Sequence, residues 1–378
     1  MLRTRPTAVL VLIASLAVVP AAAPAKAPRL DRTFGNHHGR WERGGPAWST
    51  ISRVLPGRGG TALVVGDDGR VARIGTNGRP DAGWGRGGVL RVTDDYWPQY
   101  AMPVARWGDR FTFLSGHAQT LVVDGRGRRL PVSDALDAAV PPAAVDGSDE
   151  LASDPDGSLW HLRTVWHAGG SMQHIGPDGQ LLGPRVPLPL KGPLGTGGDP
   201  LGPVATPGGI VVVTYGDAVR HISLRRLSAD GTLDPSFRTV SMGTDLYGLV
   251  PWRDGVVAMG RTRVLWVDGR GRVVHRSPLT GAVAVSLDGA GRLLVVGRTR
   301  DTLYVTVRRL RADGTRDRAF GTVKLAVPGD GAYPLAVVPA PAGRILVVGQ
   351  ALLETEGEGR EDFGTETYRT VVWRLRTR

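Results

Sequence analysis

Along most of the chain the apolar residues fall into short β-branched runs, and the polar positions between them gather into tight turns. Ala290-Gly291-Arg292-Leu293-Leu294-Val295-Val296-Gly297 is one such run with its leading turn. Ala342-Gly343-Arg344-Ile345-Leu346-Val347-Val348-Gly349 restates it almost residue for residue. No segment keeps a helical period, so the pattern predicts strands throughout. Asp-Gly and Gly-Gly pairs separate the runs. Such pairs adopt the positive φ of hairpin turns and match the twist of the flanking strands. The prediction is therefore a chain of antiparallel hairpins.

Longer identities show that the hairpins form a repeat. Arg308-Arg309-Leu310-Arg311-Ala312-Asp313-Gly314-Thr315 matches Arg225-Arg226-Leu227-Ser228-Ala229-Asp230-Gly231-Thr232, and Val123-Asp124-Gly125-Arg126-Gly127-Arg128 matches Val267-Asp268-Gly269-Arg270-Gly271-Arg272. An Asp-x-x-aromatic-Gly element runs from Asp31 to Phe34-Gly35, from Asp81 to Trp84-Gly85 and from Asp317 to Phe320-Gly321. At Asp234 to Phe237 the glycine is replaced by Arg238. The ends of the second strands fall at Gly66, Gly116, Arg163, Thr214, Gly260, Gly297 and Gly349, at intervals of 50, 47, 51, 46, 37 and 52 residues. Seven four-stranded units of that length predict an all-β propeller of seven blades. The short interval leaves a count of six open.

The two ends of the chain support a ring. The last unit stops after a third strand at Val372-Trp373-Arg374-Leu375-Arg376, while residues 29–35 parallel the turn and fourth strand of residues 315–321. The last blade is therefore expected to be closed by both termini, which removes the two bare sheet edges of an open array.

These residues resemble the delta-60 repeat family, β-propellers of secreted bacterial proteins. In that family a strand like "DGKILVAG" precedes "R-L-x-x-D-G-x-L-D-x-S-F-G-x-G-G". Residues 226–237 and the unit ending at Phe320-Gly321 carry the likeness best, and the second, third and fifth units carry it weakly. The resemblance implies the fold and brings no catalytic residues.

Composition sharpens this picture. Glycine makes up 54 of 378 residues, against ~7% in an average protein, as a turn-rich fold requires. Cysteine is absent, which excludes disulfides, thiolate metal sites and a thiol nucleophile. Lys+Arg exceed Asp+Glu by 47 to 35, and only Lys26, Lys191 and Lys324 are lysines. The excess is arginine scattered with no block of five or more, which reads as the composition of a GC-rich genome. A polyanion-binding surface is the alternative, and no specific nucleic acid is expected. Residues 1–25 read as a signal peptide: Arg3 and Arg5 precede an apolar run from Thr7 to Val19, and Ala23-Pro24-Ala25 is an A-x-A cleavage site. Residues 26–378 are then one secreted or envelope-associated propeller domain. No later stretch is apolar enough for a transmembrane segment, and a monomer is expected.

Chemistry is harder to find. Gly83-Trp84-Gly85-Arg86-Gly87-Gly88 matches G-x-G-x-x-G but leads into a strand, whereas a dinucleotide site opens a helix. His37, His38, His117, His161, His167, His174, His221 and His275 show no metal-binding spacing. No cofactor and no metal are expected. Five of seven glutamates fall between Glu354 and Glu366, a dense acidic loop that reads as solvated, with Ca²⁺ as the alternative.

The connections from a fourth strand to the next first strand hold the candidate ligand-binding residues. They are Asp95, Tyr96 and Trp97, then Asp245 and Tyr247, then Asp330 and Tyr333. Aromatic rings beside carboxylates around a channel mouth suit a glycan or a peptide. The expected function is a non-catalytic binding module for an extracellular or envelope protein or glycan. The alternatives are a propeller hydrolase or lyase at the channel mouth and a structural envelope component.

Overall fold

The computed structural model describes residues 27–35, 40–43, 51–66, 69–92, 104–107, 110–114, 120–131, 147–154, 156–165, 169–178, 180–188, 203–215, 221–299, 301–329, 331–353 and 367–377. The chain starts with two short strands, β1 (Arg29–Leu30) and β2 (Arg40–Arg43). Blade I follows with β3 (Ile51–Pro56), β4 (Ala62–Gly66), β5 (Arg70–Ile74) and β6 (Val89–Arg91), and blade II with β7 (Val104–Trp107), β8 (Arg110–Leu114) and β9 (Thr120–Val123). Blade III holds β10 (Gly147–Ser153), β11 (Leu159–Val165), β12 (Gly169–Ile175) and β13 (Val186–Leu188). Blade IV holds β14 (Val204–Thr206), β15 (Gly209–Tyr215), β16 (Ile222–Leu227) and β17 (Val240–Gly243). Blade V has β18 (Gly248–Trp252), β19 (Gly255–Met259), β20 (Arg263–Val267) and β21 (Val273–Pro278). Blade VI has β22 (Ala282–Leu287), β23 (Leu293–Arg298), β24 (Tyr304–Leu310) and β25 (Thr322–Ala326), and blade VII has β26 (Gly331–Ala340), β27 (Arg344–Leu353) and β28 (Thr367–Arg376).

Each blade is an antiparallel meander, and there are seven of them, so six is set aside. The chain ends complete blade VII as expected. Arg29 pairs with Arg376 and Leu30 with Leu375, and further along Arg40–Arg43 lie against β28 from Trp373 to Thr370. Seven apolar clusters fill the seven spaces between neighbouring blades, the last of them joining Val338, Leu346 and Val372 of blade VII to Val64, Ala72 and Ile74 of blade I. A blade is thus covered on both faces. This explains why a strand such as β4 is apolar and buried at every position instead of alternating.

The Asp-x-x-aromatic element latches one blade to the next. In blades I, IV, VI and VII an arginine near the end of the third strand takes the aspartate and lies over the aromatic ring. The ion pairs are Arg73–Asp81, Arg226–Asp234, Arg309–Asp317 and Arg374–Asp31, at 2.6–2.8 Å. The rings beneath are Trp84, Phe237, Phe320 and Phe34, 4.6–6.0 Å from the guanidinium carbon. The same guanidinium reaches forward: Arg73 donates to the Gly125 carbonyl of blade II, and Arg374 to the Thr76 carbonyl of blade I. The backbone N–H after the ring does likewise, Gly85 bonding Arg126 and Gly35 bonding Asn77. Gly78 must be glycine here. Its φ is 81°, and a Cβ would stand 2.5 Å from the Phe34 ring.

Candidate binding face

In a four-stranded meander the fourth-to-first connections and the second-to-third turns lie at the same end of the strands, so they share one face of the ring. The structure places Asp245 and Tyr247 in the connection between β17 and β18. Leu246 is buried between them, and the Tyr247 N–H donates to the Met259 carbonyl at 2.7 Å. This anchors the backbone and turns the Tyr247 ring outward, 37% exposed. Tyr333 sits inside β26 instead of in a connection, paired with Gln350 of β27. Asp95, Tyr96, Trp97 and Asp330 lie outside the described residues, as do the signal segment and the acidic loop at 354–366.

The structure adds neighbours to Tyr333 that the sequence reading passed over. The Arg298 guanidinium lies 5.9 Å from the Tyr333 ring. The Ala332 N–H bonds the Thr302 carbonyl at 2.7 Å, tying the second-to-third turn of blade VI to the start of blade VII. That turn presents Leu303 and Tyr304, 46% and 37% exposed, with Lys324 5.8 Å from the Tyr304 ring. The Thr299 hydroxyl and then the Leu303 N–H hold the Asp301 carboxyl below the ordinary aspartate range. In the sequence Leu303-Tyr304 follows a turn that lies on the same face as the fourth-to-first connections.

One serine, one histidine and two carboxylates also converge in blade III, where the turn between β10 and β11 meets β12. His174 Nε2 is 2.7 Å from Ser158 Oγ, which donates to Asp156 Oδ1 at 2.7 Å, and Asp154 accepts from Trp160 Nε1. The order is wrong for a catalytic triad, because the aspartate holds the serine and not the histidine. Ser158 is fully buried, and the His174 ring stacks on Trp160 at 3.7 Å. Burial, opposed by Asp154 and Asp156, lowers the His174 pKa below its usual value. This cluster fastens a turn. Among the described residues no group of three or more histidines and carboxylates forms a metal site. No helix among them is long and apolar enough to cross a membrane.

A family model described as "Domain of unknown function (DUF5122) beta-propeller" matches residues 208–237, which span blade IV from its first turn to Phe237. No curated protein matches the chain. Among solved structures, the WD40 domain of Neurospora crassa Pan2 is similar over 90% of this chain and 97% of that domain, at 11% identity and a TM-score of 0.55. The extracellular domain of BT4673 from B. thetaiotaomicron is similar over 87% of this chain and 40% of its own, at 12% identity and a TM-score of 0.49. Kuenenia stuttgartiensis hydrazine synthase follows at 14% identity, 59% of this chain, 61% of its own and a TM-score of 0.42. The chain thus spans less than two thirds of either of the last two. At these identities the likeness concerns fold alone. With blade IV matched by a propeller family and seven blades closed into a ring, the chain is a β-propeller repeat protein.

Proposed function

We propose that this propeller is an exported, non-catalytic binding module of the delta-60 repeat type. Residues 1–25 direct export and are removed, and residues 26–378 act as one monomeric domain outside the cytoplasm. The face carrying Asp245, Tyr247 and Tyr333 holds an extracellular or envelope protein or glycan. From the sequence alone, Asp95, Tyr96, Trp97 and Asp330 are assigned to the same ligand. The observation that carries this reading is the outward set of Tyr247, Leu303 and Tyr304 on one face. Rings and aliphatic groups left in water contribute little to the fold, while such groups at a recognition site dominate affinity. Arg298 and Lys324 beside tyrosine rings supply hydrogen-bond donors next to stacking surfaces, the combination that sugars require.

The test is calorimetric titration of envelope polysaccharide fractions into the wild type and into Tyr247→Ala/Tyr304→Ala. The expected result is an unchanged melting temperature with at least about ten-fold weaker binding. Equal binding by the two proteins would remove this face. A collapse in melting temperature would make the tyrosines part of the core.

A further inference from the structure

The space between blades V and VI has an apolar part and a polar one. Part of it is apolar, with Leu293, Val295 and Leu310 against Trp266 and Leu279. Beside Leu279 and Leu310 it opens into a groove of about 810 Å³, lined among others by Ser277, Thr306, Arg308, Thr315, Arg316 and Thr322. Among the described residues no carboxylate lines it. Side chains alternate along β24, so Val305 and Val307 pack towards blade VII while Leu310 packs towards blade V. Arg308 shares the blade V side with Thr306 and Leu310. Its Nη2 donates to the Thr280 carbonyl at 2.7 Å, and Arg316 Nη2 donates to Thr322 Oγ1 at 2.9 Å. Neither guanidinium meets a carboxylate among the described residues. Burial and then repulsion from Arg316 lower the Arg308 pKa from the ordinary arginine value.

The repeat itself shows that these two arginines are not demanded by the fold. Two residues before the third-strand position of Leu310, where blade VI has Arg308, the aligned positions of blades I, V and VII bury Ala72, Leu265 and Trp373. The position of Arg316, which bridges to Leu310, is Pro80 in blade I and Leu233 in blade IV. Blade IV has Arg225 at the first position but Leu233 at the second. Blade II has Arg129 at the second but Leu121 at the first. Blade VI alone among these carries arginine at both, on one groove.

We infer that this groove binds a phosphate-bearing glycan or polyol, with Arg308 and Arg316 on the phosphate and Ser277, Thr306 and Thr322 on neighbouring hydroxyls. Guanidinium forks match phosphate oxygens and gain most where no carboxylate competes. The groove's size falls in the range of about 300–1,000 Å³ of pockets that hold drug-sized molecules. A lone ion would leave most of it empty. The groove shares Arg298 with the surroundings of Tyr333, but its test changes Arg308 and Arg316 and leaves Tyr247 and Tyr304 intact.

The experiment titrates the purified full chain with a glycerol phosphate oligomer, inorganic phosphate, a neutral dextran oligomer and single-stranded DNA of matched charge. The glycerol phosphate oligomer is expected to bind best, with an affinity that falls as salt rises. Arg308→Gln/Arg316→Leu is expected to weaken it at least about ten-fold, the loss of one charge-assisted hydrogen bond. Arg126→Gln/Arg270→Gln removes the same charge from exposed turns and is expected to bind like the wild type. Should the first double variant fail to fold, Arg316→Leu alone, which copies Leu233, carries the comparison. Equal binding by the groove variant, or equal loss in the turn variant, would overturn the site. Inorganic phosphate binding as tightly as the oligomer would make it a free-anion site. Tighter binding of DNA would make it a nucleic-acid surface.

Discussion

Asp31 shows how much one side chain can hold. Its carboxylate, with 1% of the side chain exposed, takes Arg374 and Arg376 at 2.6 Å and the Thr33 hydroxyl at 2.7 Å. Burial works against its ionisation, but the bonds from Arg376, Thr33 and Arg374 outweigh it and hold its pKa at about 2, down from 3.8. Asp31→Ala leaves Arg374 buried without its carboxylate and is expected to cost about 3 kcal/mol by urea unfolding. The pH dependence has a definite sign. A lowered folded-state pKa contributes stability that is complete above pH 3.8 and disappears as pH falls through about 2. Melting of the wild type should therefore decline across that window. In Asp31→Asn, part of that decline should be missing; identical acid profiles for the two would show that Asp31 is not the group responsible.

At the scale of elements, the decisive unit is the third strand with its following turn. The turn is built locally: Asp230 accepts from the Thr232 N–H and hydroxyl, and Asp313 does the same for Thr315. The latch then carries the unit to the next blade through an arginine, an aspartate and a ring. In blade VII the aspartate and ring come from the N-terminal segment, so that segment is a structural part and not a tail. Deleting residues 28–41 removes Phe34, which is fully buried between blades VII and I. A lost core aromatic alone costs about 3–5 kcal/mol, against a typical total of about 5–15. The truncated chain is expected to be insoluble or to melt far below the full chain. An unchanged melting temperature would contradict closure by the termini.

At the scale of the whole molecule, the ring distributes its core over seven spaces, and a tie inside it crosses a blade. Arg53 of blade I meets Glu150 of blade III at 3.2 Å, passing the whole of blade II, with about a tenth of each side chain exposed. Among the described residues Arg53 Nε has no hydrogen-bond partner, and Glu150 is the carboxylate that meets this guanidinium. Glu150→Ala is expected to lower stability by about 3 kcal/mol, and Arg53→Met/Glu150→Leu to recover part of that loss, because removing both charges leaves neither uncompensated. Urea titration of the three variants reads this directly. Full additivity of the two sites would show that the pair does not couple blades I and III.

The blade count, the meander and the closure by both termini were legible in the sequence because repeats and hairpin turns are local properties, written in spacing and in glycine. What the tertiary structure decided is which side of a strand meets which partner. Arg308 and Arg309 are neighbours of one kind in the sequence. Strand alternation sends Arg309 to Asp317 and the Phe320 ring, and Arg308 to a groove without a carboxylate. Likewise Ser158, His174 and Asp156 converge only on folding, and only the geometry shows that the carboxylate holds the serine. Tyr304 escaped notice because it opens a third strand; its exposure depends on the turn before it and on blade VII beside it. Sequence period sets the ring, whereas the partners of a side chain depend on strand parity and on neighbours brought together by closure.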